Sequence, residues 1–462
     1  MTPEADFSTV DFGDKRLVKR LIKTIENSRK EVGESILSSS KGRNTAKGFY
    51  RLLSNEKFEF PQMQEASKAA TISRLTGTVL FIQDTSDIDL NGHKKTEGLG
   101  YCSEHIRGIK LHSCIAISPE GVCFGLVSQQ YETRKDAKSP LTKAEKAERP
   151  IEEKESFRWL EMLKESTKDI PDDIKVITIC DREGDFYELY AEALELKKDF
   201  IIRVTHDRNS DENERIVGKI RKTNAIGTVT VNIPRDSRGG IPARQTEMEI
   251  AHCRVNILKP TSVRDPKIAG KLSINLVRIT ELTPLEGREP IEWILATNLP
   301  LNSEKDVVTI VEYYVQRWKI ERFHYVLKSG CNAEKIQQRT YERIKPVLLI
   351  YSVIALFIMT ATYLGRVSPE MPCNLFFDED EWKTLYRVAN KTKIPPQKPY
   401  SMADAIMYLG QLGSYKRAPS DGPPGLKSIW AGLFALYMAI DLLAWFESSG
   451  QSFLVDKIIA EI

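Results

Sequence analysis

The sequence predicts an α/β fold whose sheet carries an all-β insertion, with helical regions at both ends of the chain. Three observations lead there. Between residues 78 and 204, short apolar runs of strand length alternate with stretches of helical periodicity. Residues 207–290 change to alternating apolar and polar positions broken by turn residues. The chain before residue 70 and after residue 400 shows helical spacing.

Taken in order, residues 14–30 carry Leu17, Val18, Leu21, Ile22 and Ile25 as an apolar stripe, while Arg16, Lys19, Arg20 and Lys23 recur on another face. A second short helix is expected over 43–53. TVLFIQD (78–84), KLHSCIAIS (110–118) and VCFGLVSQQ (122–130) read as strands, the last two joined by a turn at Pro119-Glu120-Gly121. The charged stretch 132–155 reads as a mobile loop. A helix at 156–167, the strand KVITICD (175–181), a helix at 184–197 and the strand DFIIRV (199–204) follow. After the insertion come the strand IEWILAT (291–297), one helix over 304–328 and an apolar helix at 347–364. Residues 366–400 read as Pro-rich and irregular, and helices return at 402–412 and 426–447. The expected division is a helical region 1–70, an α/β unit 71–375 with its insertion at about 207–290, and a helical region 376–462. The order β-β-β-α-β-α-β is ribonuclease-H-like by fold analogy.

Bulk properties restrict function less than the local pattern does. A 41% hydrophobic and 28% charged chain of 462 residues fits a soluble globular protein of more than one core. The net charge of +3 does not announce a nucleic-acid binder, yet residues 13–51 hold eleven Lys and Arg against four acidic residues. The seven cysteines form no C-x-x-C pair and are odd in number, which argues against a zinc ligand set and a disulfide framework. Reduced thiols of a cytosolic protein are expected. The run 347–364 nears the length that spans a bilayer. It contains Tyr351, Ser352, Thr360, Thr362 and Tyr363 and reads as the only such run, so a buried core helix and no membrane contact are expected.

Asp84 and Asp181 each close an apolar run. Ligands of open α/β sheets bind outside the carboxyl ends of strands, but aspartates there also serve turns and caps. The stretch 311–330 carries more weight. Tyr314, Arg317, Glu321 and Lys328 stand at offsets 0, 3, 7 and 14, within about a 60° arc of one helix at 3.6 residues per turn. Arg317–Glu321 alone is an ordinary i,i+4 pair. The full set suits phosphodiester chemistry. Three carboxylates can hold two hard cations, which activate the attacking oxygen and stabilise the leaving one. Arginine and lysine hold the phosphates.

Tyr314-x2-Arg317-x3-Glu321-x6-Lys328 is similar to the Y-R-E-K signature of bacterial DDE transposases of the insertion-sequence-four group. CDREGDFYELY (180–190) resembles that family's second-aspartate motif, QDTSD (83–87) its first, and FGDKRLVKRL and GFYRLL near the N-terminus are also similar. The resemblance covers nearly the whole chain and is weakest in the insertion. It implies that Asp84, Asp181 and Glu321 are catalytic and bind two Mg²⁺ ions, with Mn²⁺ as a substitute. It implies that Tyr314, Arg317 and Lys328 contact phosphates, that Arg203 lies at the site's edge, and that Trp293 stacks on a base flipped from the transposon end. Base flipping costs a few kcal/mol and stacking returns about 1–3 kcal/mol. The N-terminal helices would bind terminal inverted repeats through Arg16, Lys19, Arg20, Tyr50 and Arg51. The family has a second arginine where this chain has Leu17, so phosphate contacts carry over and base-specific ones do not. Helices around 402–412 and 430–442 would join two copies across paired ends. His112 sits in a family-like string but reads equally as a core histidine, and His324 receives no role.

The implied activity is cut-and-paste transposition in the bacterial cytoplasm, with double-stranded inverted-repeat ends and target DNA as partners and a hairpin intermediate. The alternative is a domesticated or inactive DNA-binding regulator. Intact Asp84, Asp181 and Glu321 weigh against it.

Overall fold

Strands β1 (Thr78–Asp89), β2 (Gly108–Ile117), β3 (Cys123–Glu132), β4 (Lys175–Cys180), β5 (Asp199–Arg203), β6 (Gly227–Ile233), β7 (Arg244–Leu258), β8 (Lys271–Glu281) and β9 (Glu292–Thr297) form a single sheet in the order β3-β2-β1-β4-β5-β9-β8-β7-β6. The structure is a computed structural model that describes residues 2–40, 42–137, 149–233, 240–416 and 422–449, with 142 and 145. Part of the charged stretch 132–155, expected to be a loop, therefore lies outside the described residues. Strands β1, β4 and β5 are parallel, and every other neighbouring pair is antiparallel. A three-strand meander followed by two parallel βα units fits a ribonuclease-H-like core.

The insertion departs from expectation in two ways. It is not all-β, because the helix α6 (Ile216–Lys222) precedes its strands. Nor is it a separate layer. Strand β9 pairs antiparallel with β5 on one side and β8 on the other, so β6–β8 extend the main sheet. This arrangement leaves no unpaired edge at β5, where aggregation would otherwise be seeded.

Side chains alternate between the two faces of a strand, and the core divides accordingly. Leu80 and Ile82, Ile177 and Ile179, Ile201, Val277, Ile279 and Leu295 belong to one apolar cluster. Cys180, Phe200, Ile202, Leu276, Ile294 and Ala296 belong to another. On the first side the cluster also takes in residues of α1 (Lys15–Lys30), α2 (Arg43–Leu52), α3 (Phe60–Ile72), α7 (Glu304–Val315), α8 (Trp318–Tyr325), α9 (Tyr341–Val367), α11 (Met402–Leu412) and α12 (Leu426–Ser448), and α3 and α7–α9 lie against the strands. The second is covered by α4 (Phe157–Ser166), α5 (Tyr187–Glu195) and α6.

Helix α1 begins where Asp14 accepts a hydrogen bond from the Arg16 backbone N–H, and it buries Leu17, Leu21 and Ile25. Helix α3 went unread in the sequence. It lies directly on β3, where Thr71 Oγ1 donates to the Leu126 carbonyl at 2.7 Å. Gly125 permits that approach, since a Cβ there would stand 2.4 Å from Thr71 Oγ1. Residues 366–400 are less irregular than expected. They hold α10 (Glu379–Ala389), whose Asp378 and Glu381 form a reciprocal capping box.

Helix α9 is the buried apolar helix the sequence implied, with 94% of its most apolar window inside the protein. It is not the only long apolar helix. Leu426–Phe446 is also long and apolar enough to cross a membrane, and 44% of its most apolar window is buried. Arg29 of α1 ties the ends of the chain together. Its guanidinium contacts Glu4 (2.8 Å), Glu381 of α10 (2.6 Å) and the Tyr437 hydroxyl of α12. All seven cysteines are free thiols, and all but Cys253 are buried.

Candidate active site

Asp84 and Asp181 occupy equivalent places. Asp84 follows Leu80 and Ile82 at period two, and Asp181 follows Ile177 and Ile179, so both project from the face covered by α7–α9. The last parallel pairing between β1 and β4 is Ile82 with Ile179. Strand β1 does not end at Asp84, as the apolar run suggested. It continues to Asp89, paired only with β2. Asp84 therefore lies where β1 and β4 part, and the gap between them opens beside both carboxylates. Asp181 also caps a short 3-10 turn, with Glu183 N–H donating to its Oδ1 at 2.8 Å.

The stretch carrying Glu321 is not one straight helix. It breaks at Gln316–Arg317, where backbone N–H groups bond to carbonyls three residues back, and residues Val326–Gly330 form a π turn. Extra residues in a turn rotate the face that follows. The 60° arc expected of an unbroken helix is thus only partly kept. Arg317 and Glu321 pair at 2.7 Å. Tyr314 packs edge-on against Trp293 with ring centroids 5.8 Å apart. Lys328 turns elsewhere, donating to the Asp87 carbonyl at 2.5 Å and lying 3.5 Å from Glu334.

Electrostatics unite the three acids. Burial, then the neighbouring Asp181, push the Asp84 carboxyl up to about 7; Glu321 adds to the effect and Arg317 opposes it. Among the described residues, no three His, Cys, Asp or Glu side chains already stand at ligand distances. The donor set nonetheless fits a divalent cation. Hard oxygen donors from β1, from the end of β4 and from the facing helix crowd negative charge that one guanidinium does not offset.

A positive rim lies beside this anionic pair. The buried Tyr314 hydroxyl lies near the guanidinium groups of Arg203 and Arg317 and has no hydrogen-bond partner among the described residues. Burial holds Arg203 below its ordinary pKa, and Arg182 and Arg317 add to the effect. Arg203 also lies 6.0 Å from the Trp293 ring. Trp293 itself is 5% exposed and sits in the core. In this conformation its ring is packed inside the protein. Its strand position directs it onto Tyr314, so the side chain has a partner within the protein.

The two histidines separate. His112 is fully buried, bonds through Nδ1 to Thr85 Oγ1 at 2.8 Å and packs edge-on against Trp159, which is the core reading. His324 lies 3.9 Å from Asp84 Oδ2, and burial lowers its pKa to about 3, so it is neutral.

On α1, Arg16, Lys19, Arg20 and Lys23 all face solvent. Arg16 pairs with Asp14 at 2.9 Å and Lys23 with Glu26 at 3.0 Å. Tyr50 and Arg51 line a recess of about 580 Å³ with Lys47, Arg339 and Arg343. Sequence reading missed Arg339 and Arg343, whose distance along the chain hid their place opposite α2. It also passed over Arg182, although that residue directly follows Asp181.

Comparison with known families covers most of the chain. Residues 3–58 match the transposase DNA-binding family, 152–358 the transposase DDE domain, and 353–448 the transposase Tn5 dimerisation domain. Together these matches support a DDE transposase. The DDE-domain match includes Asp181, Arg203, Trp293, Tyr314, Arg317, Glu321 and Lys328, and it begins beyond Asp84. The DDE and dimerisation matches meet within α9. Among solved structures, a cryo-EM structure of a piggyBac transposase synaptic complex with hairpin DNA shares 9% identity. The alignment covers 91% of this chain and 76% of that one at a TM-score of 0.37, too loose a superposition to carry an argument.

Proposed function

We propose that the chain is a cut-and-paste DNA transposase of the Y-R-E-K group that cleaves inverted-repeat ends and joins them to target DNA. The observation that carries this reading is the placement of Asp84 and Asp181 on one sheet face, beside the helical stretch that carries Arg317 and Glu321. Asp84, Asp181 and Glu321 would hold two divalent ions, Mg²⁺ or Mn²⁺. When bound, these supply an activated attacking oxygen and a stabilised leaving oxygen.

The chain's own groups set the substrate. Arg317 and Arg203 flank the Tyr314 hydroxyl and would seat the phosphates of the cleaved strand. Lys328, held at the Asp87 carbonyl, would contact the next phosphate along. Each step is an in-line displacement that breaks one P–O bond and forms another: hydrolysis of the first strand, attack of the freed 3′-hydroxyl on the opposite strand to close a hairpin, reopening by water, and joining to target. Trp293 would have to leave its packing on Tyr314 to stack on a flipped base. Incubating the full chain with Mg²⁺ and DNA bordered by the inverted repeats that flank its gene tests the proposal. Joined products support it. Cleavage without end preference or joining would indicate a plain nuclease.

Residues 1–70 would bind the ends, 71–375 perform the chemistry and 376–462 pair two copies, in a bacterial cytoplasm. If α1 holds DNA phosphates, replacing Lys19 and Arg20 by alanine should make the slope of log K against log salt shallower by about 2, roughly one per lost contact. A slope unchanged in filter binding across a salt series returns that face to ordinary solvated surface.

Within the proposed pairing region, Met402, Ala405, Ile406 and Leu409 of α11 are core residues of their own chain, whereas α12 exposes Met438, Leu442 and Trp445, spaced to share one face. Met438→Asp with Trp445→Asp should shift sedimentation of the end-DNA complex from two copies toward one, and an unchanged boundary would place the interface elsewhere.

A further inference from the structure

A buried polar layer lies behind Asp84, on the opposite face of the sheet. Gln83 and Thr85 flank Asp84 in β1 and so project away from it. His112, opposite Thr85 in the register, joins them. Above this layer stands Arg158 from the first turn of α4, its side chain 5% exposed. Arg158 Nε donates to Thr85 Oγ1 at 3.3 Å, and the same hydroxyl meets His112 Nδ1 at 2.8 Å. The Thr85 backbone N–H in turn donates to Asp84 Oδ1 at 2.8 Å.

The rest of the guanidinium reaches other segments. It lies 3.4 Å from Glu132 at the end of β3 and 3.8 Å from Glu183, two residues after Asp181. One planar cation thus contacts the residue after Asp84, the loop after Asp181 and the neighbouring strand end. Packing alone would not place an arginine there, because burying a guanidinium is costly unless its donors are used. Its fork geometry suits several acceptors at once, which a lysine cannot reproduce.

We propose that Arg158 is a positioning residue, a clasp behind the sheet that fixes the separation of Asp84 on β1 and Asp181 after β4 for divalent-ion binding. The proposal rests on the metal-dependent reading above. Arg158 acts through Thr85 and Glu183 and touches neither ions nor DNA. Partners that orient metal ligands in this way are typically worth about 10–100-fold in metal affinity.

The test is Mn²⁺ binding by the full chain, followed by electron paramagnetic resonance, for wild type, Arg158→Gln, Arg158→Lys, Thr85→Val and the Arg158→Gln/Thr85→Val double variant. Asp84→Asn serves as the control for the site, and melting temperatures report folding. The expected result is roughly tenfold weaker Mn²⁺ binding for Arg158→Gln and for Thr85→Val. The double variant should be little worse than either single one, because both act on one contact. Arg158→Lys should melt like wild type and still bind Mn²⁺ weakly. Full Mn²⁺ affinity in Arg158→Gln or Arg158→Lys overturns the clasp while leaving the metal site standing. Wild-type binding that Asp84→Asn leaves unchanged overturns the metal site, and the clasp with it.

Discussion

Replacing Glu321 by glutamine is expected to abolish strand cleavage while leaving the binding of end DNA intact. The substitution preserves size, and the amide oxygen can still accept from Arg317, which now bonds Glu321 at 2.7 Å. What is lost is one of three negative donors. A metal ion contributes several kcal/mol of transition-state stabilisation, and about 1.4 kcal/mol corresponds to a factor of ten in rate. A loss of roughly a thousandfold or more is therefore expected. Single-turnover nicking of end DNA in Mg²⁺, set beside a mobility-shift titration, measures both quantities. Nicking at the wild-type rate would remove Glu321 from the site, and parallel loss of binding would make its role one of folding.

Asp84→Asn should also abolish cleavage, yet make the metal-free protein more stable at alkaline pH. Burial and the neighbouring Asp181 push the carboxyl from its ordinary value of 3.8 up to about 7 in the folded chain. Below about pH 4 it is protonated whether folded or unfolded and has no effect. Between about pH 4 and 7 the folded state binds a proton that the unfolded state does not, so stability falls as pH rises, by at most about 1.4 kcal/mol per unit. Above 7 the folded chain carries the buried charge and the cost is complete, on the order of 2–4 kcal/mol. Asparagine has no such charge. Its advantage should open between pH 4 and 7 and then level off. Urea melts in a chelator at pH 4.5 and pH 8 are the measurement, and an equal gap at both would show that ionisation is not the cause. Added Mg²⁺ should stabilise wild type at pH 8 and have little effect on the variant.

Much of the site was legible because strands reveal their faces through period two. Counting from Leu80 to Asp84 and from Ile177 to Asp181 already places both aspartates on one side. The spacing of Arg317 and Glu321 needs only one helical turn, and that pair formed. Lys328 was less legible, since the break at Gln316 and the π turn at Val326–Gly330 occur without proline and change the rotation between the two residues. Trp293 shows a different limit. An aromatic residue in an apolar strand looks the same in sequence whether its ring faces a ligand or a neighbour. Arg158 was hidden for the opposite reason. It opens a helix directly after a highly charged stretch, where an arginine resembles surface charge, and only the fold reveals its burial. The joining of β6–β8 to the main sheet depended on β9, a pairing between residues almost a hundred positions apart that no local pattern encodes.

That pairing has a consequence for the growing chain. Ile201 of β5 stands opposite Thr297 of β9, so one edge of β5 waits for a partner while the insertion is being made. At about 5–20 residues per second, synthesis from Arg203 to Thr297 takes roughly 5–20 seconds. Throughout that interval Phe200, Ile201 and Ile202 lie on an open strand able to recruit another nascent chain. The yield of native protein should then depend on translation speed across the insertion, and a chaperone acting during those seconds would have its principal target at β5.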